Sequence, residues 1–328
     1  MHYFIINPKS QSGHAYSLWK EVQRTIEKKS TSLTYRYVYT RYPGHMTEIV
    51  KRLTSSKTPK HIIIIGGDGS FNEAVNGLQN PKIHCLSFLP AGSGNDLGRS
   101  LGFPKEIPTL LARILPADFK KSVDFKEPSV STDPKKLDLG VISWKTALEC
   151  HDSSNCRSFA VSSGIGFDAA ICEEINTSRL KGFFNRFHAG KLAYLMIGIK
   201  QLLVWKPQTA LLYIDDAKVP IRLSSFLFLS AHIHPFEGGG FPFCPDADYE
   251  DGFLDLCVVS GINRFRAFPL IPFAKQGRHI GKKGVHSFRC KKMRIVLKSP
   301  LPVHTDGEIP CHSRFLFIKQ TKTGYYFK

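Results

Sequence analysis

The chain has 328 residues, of which 42% are hydrophobic and 22% are charged. This is the composition of a globular protein of about two domains, and it excludes collagen, coiled coil and a wholly disordered chain. Its 45 basic and 27 acidic residues give a formal net charge of +18, which favours anionic partners such as nucleic acid, an acidic membrane surface or an anionic substrate. The apolar stretches are too short to cross a bilayer, and the chain does not open on the long apolar region of a secretory signal. We therefore expect a cytoplasmic protein.

Strands and helices alternate in the amino-terminal part of the chain. The apolar patterns predict strands at residues 2–7, 33–39, 61–65 and 83–89, with helices at 15–28, 46–53 and 71–78 between them. The continuous β-branched run at 62–65 is typical of a strand buried on both faces of a parallel sheet. This order predicts an α/β nucleotide-binding domain with a mainly parallel sheet, whose ligands bind beyond the carboxyl ends of the strands.

The remainder of the chain reads mostly as short strands. We predict strands at 137–144, 157–163, 209–214, 224–231, 253–259, 294–297 and 314–319, interrupted by one helix at 190–205. Such a pattern favours a second, mainly-β domain of the sandwich type.

A glycine-rich turn follows the third predicted strand. Residues 66–70 read Gly-Gly-Asp-Gly-Ser, and the next helix begins immediately after them. Glycines let backbone N–H groups approach phosphate oxygens, and the helix directs its positive end to the same place. Asp68 inside this cradle points to a bridging cation such as Mg²⁺. The spacing is that of neither a Walker A loop nor a GxGxxG fingerprint.

Two further loops carry related chemistry. Residues 90–96 form a second glycine turn that ends in Asn95 and Asp96, and residues 7–13 form a polar turn after the first strand. The latter could supply amide and hydroxyl contacts to a nucleotide, or could be an ordinary connection between a strand and a helix.

These motifs resemble those of a known family. The two glycine loops occur together with Leu-Asp-Leu-Gly at 137–140, Gly-Ile-Gly-Phe-Asp-Ala at 164–169, Gly-Gly-Gly at 238–240, an acidic Asp-Gly segment at 245–255 and Asp-Gly-Glu at 306–308. In this combination the chain resembles the soluble diacylglycerol kinase and sphingosine kinase family, specifically its short bacterial branch. The resemblance implies an ATP-binding domain at 1–126, a β-rich lipid-substrate domain at 127–315, and a final segment, 316–328, that returns to the first domain.

The resemblance also implies roles for individual residues. The residues carried over to ATP binding are Asn7, Pro8, Lys9, Ser10, Gln11, Thr40, Gly66, Gly67, Asp68, Gly69, Ser70, Phe71, Asn72, Glu73, Ser93, Asn95 and Asp96. Catalytic Mg²⁺ would be associated with Asp68 and Asp96. A second, structural Mg²⁺ would be held by Asp248, Asp251 and the backbone of Phe253, with Asp138 linking it to the active site.

Two acids near the carboxyl end are candidates for the catalytic base. Phosphoryl transfer needs a positioned γ-phosphate, cations on its oxygens and a carboxylate that accepts the proton of the alcohol. By resemblance Glu308 is the proton acceptor, with Asp306 as the competing candidate, and Asp68 completes the catalytic set. Only Gly307 separates the two acids, so in a strand both could point the same way and either could be the base.

The resulting expectation is an ATP- and Mg²⁺-dependent kinase of a lipid hydroxyl, with diacylglycerol converted to phosphatidic acid. The alternatives are another lipid alcohol, such as phosphatidylglycerol or a sphingoid base, an NAD kinase, and a non-catalytic protein that binds anionic lipid. We expect peripheral association with an anionic membrane and no nucleic-acid partner, because no nucleic-acid-binding motif is visible; a homodimer is left open.

Three basic segments are candidates for contact with lipid. Residues 264–273 mix aromatic, aliphatic and cationic side chains, and residues 282–292 add further cations. They could form an interfacial element on anionic lipid or a core helix followed by a solvated basic strand. The basic stretch at 179–181 could contact phosphate or headgroups.

Overall fold

The computed structural model describes residues 1–29, 33–115, 134–145, 155–177, 190–321 and 323–328. The described chain divides into two compact units, residues 1–137 with 323–328 and residues 138–322. The predicted boundary at 126–127 and the basic stretch at 179–181 lie outside the described residues.

The first unit is an α/β structure around a six-stranded sheet. Its strands are β1 (His2–Ile6), β2 (Tyr35–Tyr39), β3 (His61–Gly66), β4 (Cys85–Pro90), β5 (Lys135–Leu137) and β16 (Tyr325–Phe327). Its helices are α1 (His14–Lys29), α2 (His45–Thr54), α3 (Asp68–Gly77), α4 (Asp96–Ser100) and α5 (Ile107–Ile114), with a 3-10 helix at Ser10–Gly13. The strand order is β2-β1-β3-β4-β16-β5, and only β5 is antiparallel to its neighbour. The predicted parallel sheet is confirmed.

Apolar side chains fix this arrangement. Ile62, Ile63, Ile64 and Ile65 of β3 are completely buried, as expected for a central strand covered on both faces. One of the cores of this unit joins β1 and β3 to α1 and α5, with Trp19 packed 4.9 Å from the ring of Phe4.

The second unit is a ten-stranded antiparallel sheet structure. Its strands are β6 (Gly140–Lys145), β7 (Cys156–Phe159), β8 (Ser162–Gly166), β9 (Gln208–Ile214), β10 (Ile221–Phe226), β11 (Phe228–His232), β12 (Leu254–Val259), β13 (Val285–Cys290), β14 (Lys292–Thr305) and β15 (Glu308–Gln320). Its helices are α6 (Phe167–Thr177), α7 (Gly190–Val204) and α8 (Leu270–Lys275), with a 3-10 helix at Arg264–Ala267. The main path runs β13-β12-β11-β8-β14-β15-β6-β7.

The mainly-β, sandwich-like character is confirmed, but several predicted elements were wrong in detail. The strand predicted at 157–163 is two strands, β7 and β8, and the strand predicted at 224–231 is likewise divided into β10 and β11. We predicted a single helix in this domain, whereas the described residues contain α6 and α8 as well. Alternating apolar patterns continue across a break, so periodicity alone does not reveal where a strand changes its partner.

Candidate active site

Three loops follow neighbouring parallel strands of the first unit. β1, β3 and β4 pair side by side, so their carboxyl ends and the loops after them lie at one edge of the sheet. The Asn7 side-chain amide donates to the Ser70 hydroxyl at 3.0 Å, and the Ser10 hydroxyl donates to the Ala91 carbonyl at 2.9 Å. The structure therefore brings the three predicted nucleotide loops together.

The two glycine turns meet through their backbones. A Cβ added to Gly92 would lie 2.5 Å from the Cα of Gly67, so any side chain there would force the two loops apart. Asn95 has a left-handed backbone, with φ of 54°, and its side chain bonds both the N–H and the carbonyl of Gly92 at 2.8 Å. The two turns thus pack directly against each other through their backbones.

Asp68 connects the starts of two helices. Its carboxylate accepts the backbone N–H groups of Asp96 at 3.2 Å and Leu97 at 3.4 Å, while Asp96 is buried and paired with Arg99. Asp68 carries the hard oxygen donors that Mg²⁺ prefers and lies beside the glycine turns, so it fits a magnesium-nucleotide complex. Asp96 carries the same donors, but the Arg99 guanidinium already neutralises it.

Other residues assigned to the nucleotide divide into exposed and internal ones. Lys9, Gln11 and Ser93 are exposed, whereas Phe71 and Asn72 are buried. Thr40, at the end of β2, donates its backbone N–H to the Ile6 carbonyl at 2.8 Å. The Glu73 carboxylate accepts the N–H groups of Gly44 and Met46 at 2.9 and 3.2 Å, and so fixes the start of α2 against α3.

Asp306 and Glu308, in the second unit, have different environments. The Asp306 carboxylate accepts the backbone N–H groups of Ala160, Val161 and Ser162 at 2.9, 2.8 and 3.0 Å. It ties the turn between β14 and β15 to the start of β8. Glu308 is exposed. The geometry therefore gives Asp306 a structural task and leaves Glu308 accessible, a distinction that the sequence spacing left open.

A buried ionic cluster lies two residues before Asp306, and sequence analysis missed it. The Nε2 atom of His304 lies 3.1 Å from Glu237 Oε1 and 3.5 Å from Asp168 Oδ2. One potential ligand atom from each of Asp168, Glu237 and His304 lies within 4.8 Å of the other two, which makes these three the candidate metal-binding group among the described residues. Glu237 comes just before the Gly-Gly-Gly motif and Asp168 lies within the Gly-Ile-Gly-Phe-Asp-Ala motif, so three segments distant in sequence meet here.

The cluster is surrounded by further polar contacts and by a glycine. Glu237 accepts the Ser230 hydroxyl at 2.6 Å, and its Oε2 also lies 3.2 Å from His232. His234, two residues after His232, stacks on Tyr249 with the ring centres 4.6 Å apart. A Cβ added to Gly164 would overlap both Asp168 and His304, so only glycine fits at that position.

Burial and charge pairing shift the pKa values of these groups. Although burial opposes the charge, Glu237 holds the pKa of His304 well above its ordinary value, and His304 holds the pKa of Glu237 well below its ordinary value. Burial raises the pKa of Asp168. At neutral pH the cluster is therefore a buried His304–Glu237 ion pair beside a carboxyl group that resists ionisation.

We expect Glu237→Gln to lower the free energy of unfolding at neutral pH by about 3 to 5 kcal/mol, because it leaves His304 without its buried anion. In the unaltered protein, the stabilisation from His304 is complete below the pKa of this residue in the unfolded chain and is lost as the pH rises through its raised pKa in the folded protein. The stabilisation from Glu237 is lost as the pH falls through its lowered pKa. The free energy of unfolding can be measured by denaturant unfolding at a series of pH values between about 5 and 10. In the variant it should decline less towards alkaline pH than in the unaltered protein.

The matched control for this experiment is Glu173→Gln. Glu173 pairs with His312 at 3.2 Å, but both side chains are exposed, so the change should stay within about 1 kcal/mol. Equal losses in the two variants would contradict the buried ion pair.

The residues assigned to a structural magnesium lie in a well-bonded turn. The Asp138 carboxylate accepts the Gly252 N–H at 2.6 Å and the Gln320 amide at 2.8 Å. One Asp251 oxygen accepts the Phe253 N–H at 2.9 Å, and the other is paired with Arg289. Asp248 is exposed, and its carboxylate accepts the Glu250 N–H at 2.9 Å. Because the Arg289 guanidinium already neutralises Asp251, these residues do not fit a magnesium ion.

We expect Mg²⁺ to leave the thermal unfolding midpoint of the nucleotide-free protein unchanged, because the Arg289 guanidinium already neutralises Asp251. In Arg289→Gln the midpoint should rise by a few degrees, about 1 kcal/mol, on adding Mg²⁺, since a cation can then replace the lost charge. Lys291→Gln is the control: Lys291 also lies over the Phe253 ring, at 5.1 Å, but its removal leaves Arg289 on Asp251. A magnesium-dependent midpoint in the unaltered protein that persists in Asp68→Asn would show that the ion displaces Arg289.

Comparison with known proteins agrees with this architecture. Residues 2–125 match the model of the diacylglycerol kinase catalytic domain, and residues 160–314 match that of the YegS C-terminal NAD kinase beta sandwich-like domain. The two matches on one chain define a lipid kinase, a phosphotransferase whose acceptor is an alcohol. The chain thus carries a diacylglycerol kinase catalytic domain followed by a YegS-type C-terminal domain.

Individual relatives extend over most of the chain. The chain is 29% identical over 309 residues to "Putative lipid kinase YtlR" of Bacillus subtilis (strain 168), covering 94% of this chain and 93% of the relative. It is 24% identical over 253 residues to a diacylglycerol kinase of Mycobacterium tuberculosis (strain H37Rv), covering 76% and 71%. A crystal structure of a "putative diacylglycerol kinase" from Bacillus anthracis str. Sterne shares the fold, with a TM-score of 0.70 and 19% identity over 99% of this chain and 94% of that one.

None of the helices in the described residues is long and apolar enough to cross a membrane.

Proposed function

We propose that this lipid kinase transfers the γ-phosphate of ATP to the hydroxyl of diacylglycerol in a Mg²⁺-dependent reaction. The relatives named diacylglycerol kinase support the acceptor, and the joined glycine turns of the first unit support the nucleotide. The observation that best supports a lipid as the acceptor is an apolar cavity in the second unit.

The cavity has a volume of about 120 Å³ and is walled almost entirely by apolar side chains. Those that close it include Phe167, Leu202, Phe228, Phe243, Leu270 and Ile271. Such a lining suits a hydrocarbon chain and gives a nucleotide or a sugar few polar partners, since Asp168 and His279 are its polar members.

One acid marks a polar end of this cavity. Asp168 lines it, and the donor nearest its buried Oδ2 atom is His304 Nε2, at the long distance of 3.5 Å, so that no hydrogen bond of ordinary length reaches this oxygen within the described residues. A buried acceptor of this kind costs free energy until a donor reaches it. The hydroxyl of a lipid whose chain enters the cavity would supply that donor, and so Asp168 would orient the acceptor.

The remaining steps follow from phosphoryl-transfer chemistry. The lipid oxygen attacks the γ-phosphorus, the bond to the bridging β-phosphate oxygen breaks, and the hydroxyl proton passes to the exposed Glu308 carboxylate. The amide groups of the glycine turns hold the phosphates, and Ser93, Asn7 and Lys9 contact the nucleotide. Mg²⁺ held by Asp68 would neutralise charge on the phosphate oxygens, and Asp96 would help to hold the ion once the ion replaces Arg99 as its partner.

Labelled ATP tests the proposal against its alternatives. The protein is incubated with Mg²⁺ and mixed micelles containing diacylglycerol, phosphatidylglycerol, sphingosine or ceramide, with NAD in a separate reaction. Label on diacylglycerol supports the proposal, and label on another lipid changes the acceptor. Label on NAD, or none on any acceptor, would overturn it.

A further inference from the structure

Three elements of the second unit have apolar residues on two opposite faces. Leu202 of α7 is buried and lines the cavity, whereas its neighbour Leu203 is 52% exposed. A helix at a protein surface normally exposes polar residues on its outer face. The outer face of α7 instead carries Met196, Ile199 and Leu203, exposed at helical spacing. The charged side chain exposed beside them is Lys200, which is paired with Glu174.

The neighbouring 3-10 helix and α8 repeat this arrangement. Ala267 and Leu270 face the cavity, while Phe265 and Phe273 are exposed. The 3-10 helix contacts α7, so the exposed side chains of these elements belong to one region, which we call the cavity-wall surface. Its members are Met196, Ile199, Leu203, Phe265 and Phe273.

Cations accompany this surface, and an acid that contacts α7, Glu174, is neutralised by Lys200. Lys206, Arg266, Lys275, Arg278, Lys282 and Lys283 are all exposed, and no Asp or Glu occurs between residues 256 and 305. Lys282 lies 4.6 Å from the centre of the Phe273 ring. Aromatic and aliphatic side chains bordered by lysine and arginine match the interface of an anionic bilayer, where the apolar groups enter the acyl region and the cations meet phosphates.

We propose that the cavity-wall surface docks the enzyme on anionic membranes. The same elements whose outer faces enter the bilayer wall the cavity with their inner faces, so a lipid could pass from the membrane into the cavity without crossing water. This inference deepens the proposed function and rests on it for the identity of the lipid, but the docking itself can be measured without catalysis.

Vesicle sedimentation tests the docking in the absence of ATP, Mg²⁺ and diacylglycerol. The full chain should bind vesicles of phosphatidylglycerol and phosphatidylcholine, and bind pure phosphatidylcholine far more weakly. The double variant Leu203→Ser/Phe273→Ser should lose at least about tenfold in partitioning because two apolar groups no longer enter the bilayer. Lys282→Gln/Lys283→Gln should lose about fivefold for each charge removed, and its residual binding should depend less on salt.

The matched control is Val219→Ser. Val219 is 79% exposed and lies between β9 and β10, which do not line the cavity, so its replacement should leave binding unchanged. Unaltered binding by the double variant, or equal binding to both kinds of vesicle, would overturn the proposal. So would a change in oligomeric state without a change in vesicle binding, because it would assign the surface to a second copy of the chain.

Activity on a water-soluble, short-chain diacylglycerol separates this proposal from the proposed function. The double variant should retain activity on that substrate while losing activity on vesicles. If no variant phosphorylates diacylglycerol but vesicle binding follows the expected pattern, the docking stands and the acceptor is wrong.

Discussion

Asp68→Asn should reduce kcat for lipid phosphorylation by at least about a thousandfold. The substitution keeps the shape of the side chain and one oxygen that can accept the N–H of Asp96 or Leu97, but it removes the charge. A magnesium-nucleotide complex at the glycine turn needs that charge, because an amide oxygen is a much weaker ligand for Mg²⁺ than a carboxylate. The thermal midpoint should fall by only a few degrees, about 1 kcal/mol for the one N–H group left without an acceptor, while the rate collapses.

The measurement is initial-rate kinetics with labelled ATP over a range of Mg²⁺ concentrations. Glu27→Gln is the control, because Glu27 is an exposed acid on α1 and its loss should leave kcat unchanged. An Asp68→Asn enzyme with nearly normal kcat would remove Asp68 from the catalytic set, whatever lipid proves to be the acceptor.

Glu308→Gln and Asp306→Asn should fail in different ways. Glu308 is exposed, so its replacement should change the free energy of unfolding by no more than about 0.5 kcal/mol. As the proposed proton acceptor it should nevertheless lower kcat by about a hundredfold to ten-thousandfold. The KM for the lipid should stay nearly constant, because the amide still fits and only the proton transfer is lost.

Asp306→Asn should instead destabilise the protein. Its carboxylate accepts three backbone N–H groups, and an amide can accept with only one of its two terminal atoms. We expect a loss of about 2 to 4 kcal/mol, seen as a lower midpoint in denaturant. Asp216→Asn, at an 89% exposed side chain, should be nearly neutral. A stable Asp306→Asn enzyme without activity, beside an active Glu308→Gln enzyme, would exchange the two roles.

The first unit was largely predictable from sequence because its signals are local. A buried β-branched strand, a glycine turn and a helix start follow one another between residues 61 and 77, and each has a steric or electrostatic cause within a few residues. The positions of the loops then followed, because parallel neighbours end at the same edge of a sheet.

The buried cluster of the second unit was not predictable in this way. Asp168, Glu237 and His304 are far apart in sequence, and each has an ordinary structural explanation when taken alone. In an antiparallel sheet, β8 pairs with both β11 and β14, and this pairing brings the three segments together. The glycine at position 164 was the available signal in the sequence. The need for glycine there becomes clear only in the structure, where Asp168 and His304 occupy the space of a side chain.

The sequence by itself determined the class of this protein, the chemistry of the phosphate loops and the presence of a mainly-β second domain, because glycine conformational freedom, helix starts and strand periodicity are properties of short segments. Tertiary structure decided which acid is bonded and which is exposed at Asp306 and Glu308, placed Arg289 on Asp251, and gave the cavity wall two apolar faces. These outcomes depend on which distant segments pack together, and the separation of two residues in sequence does not give their distance across a sheet.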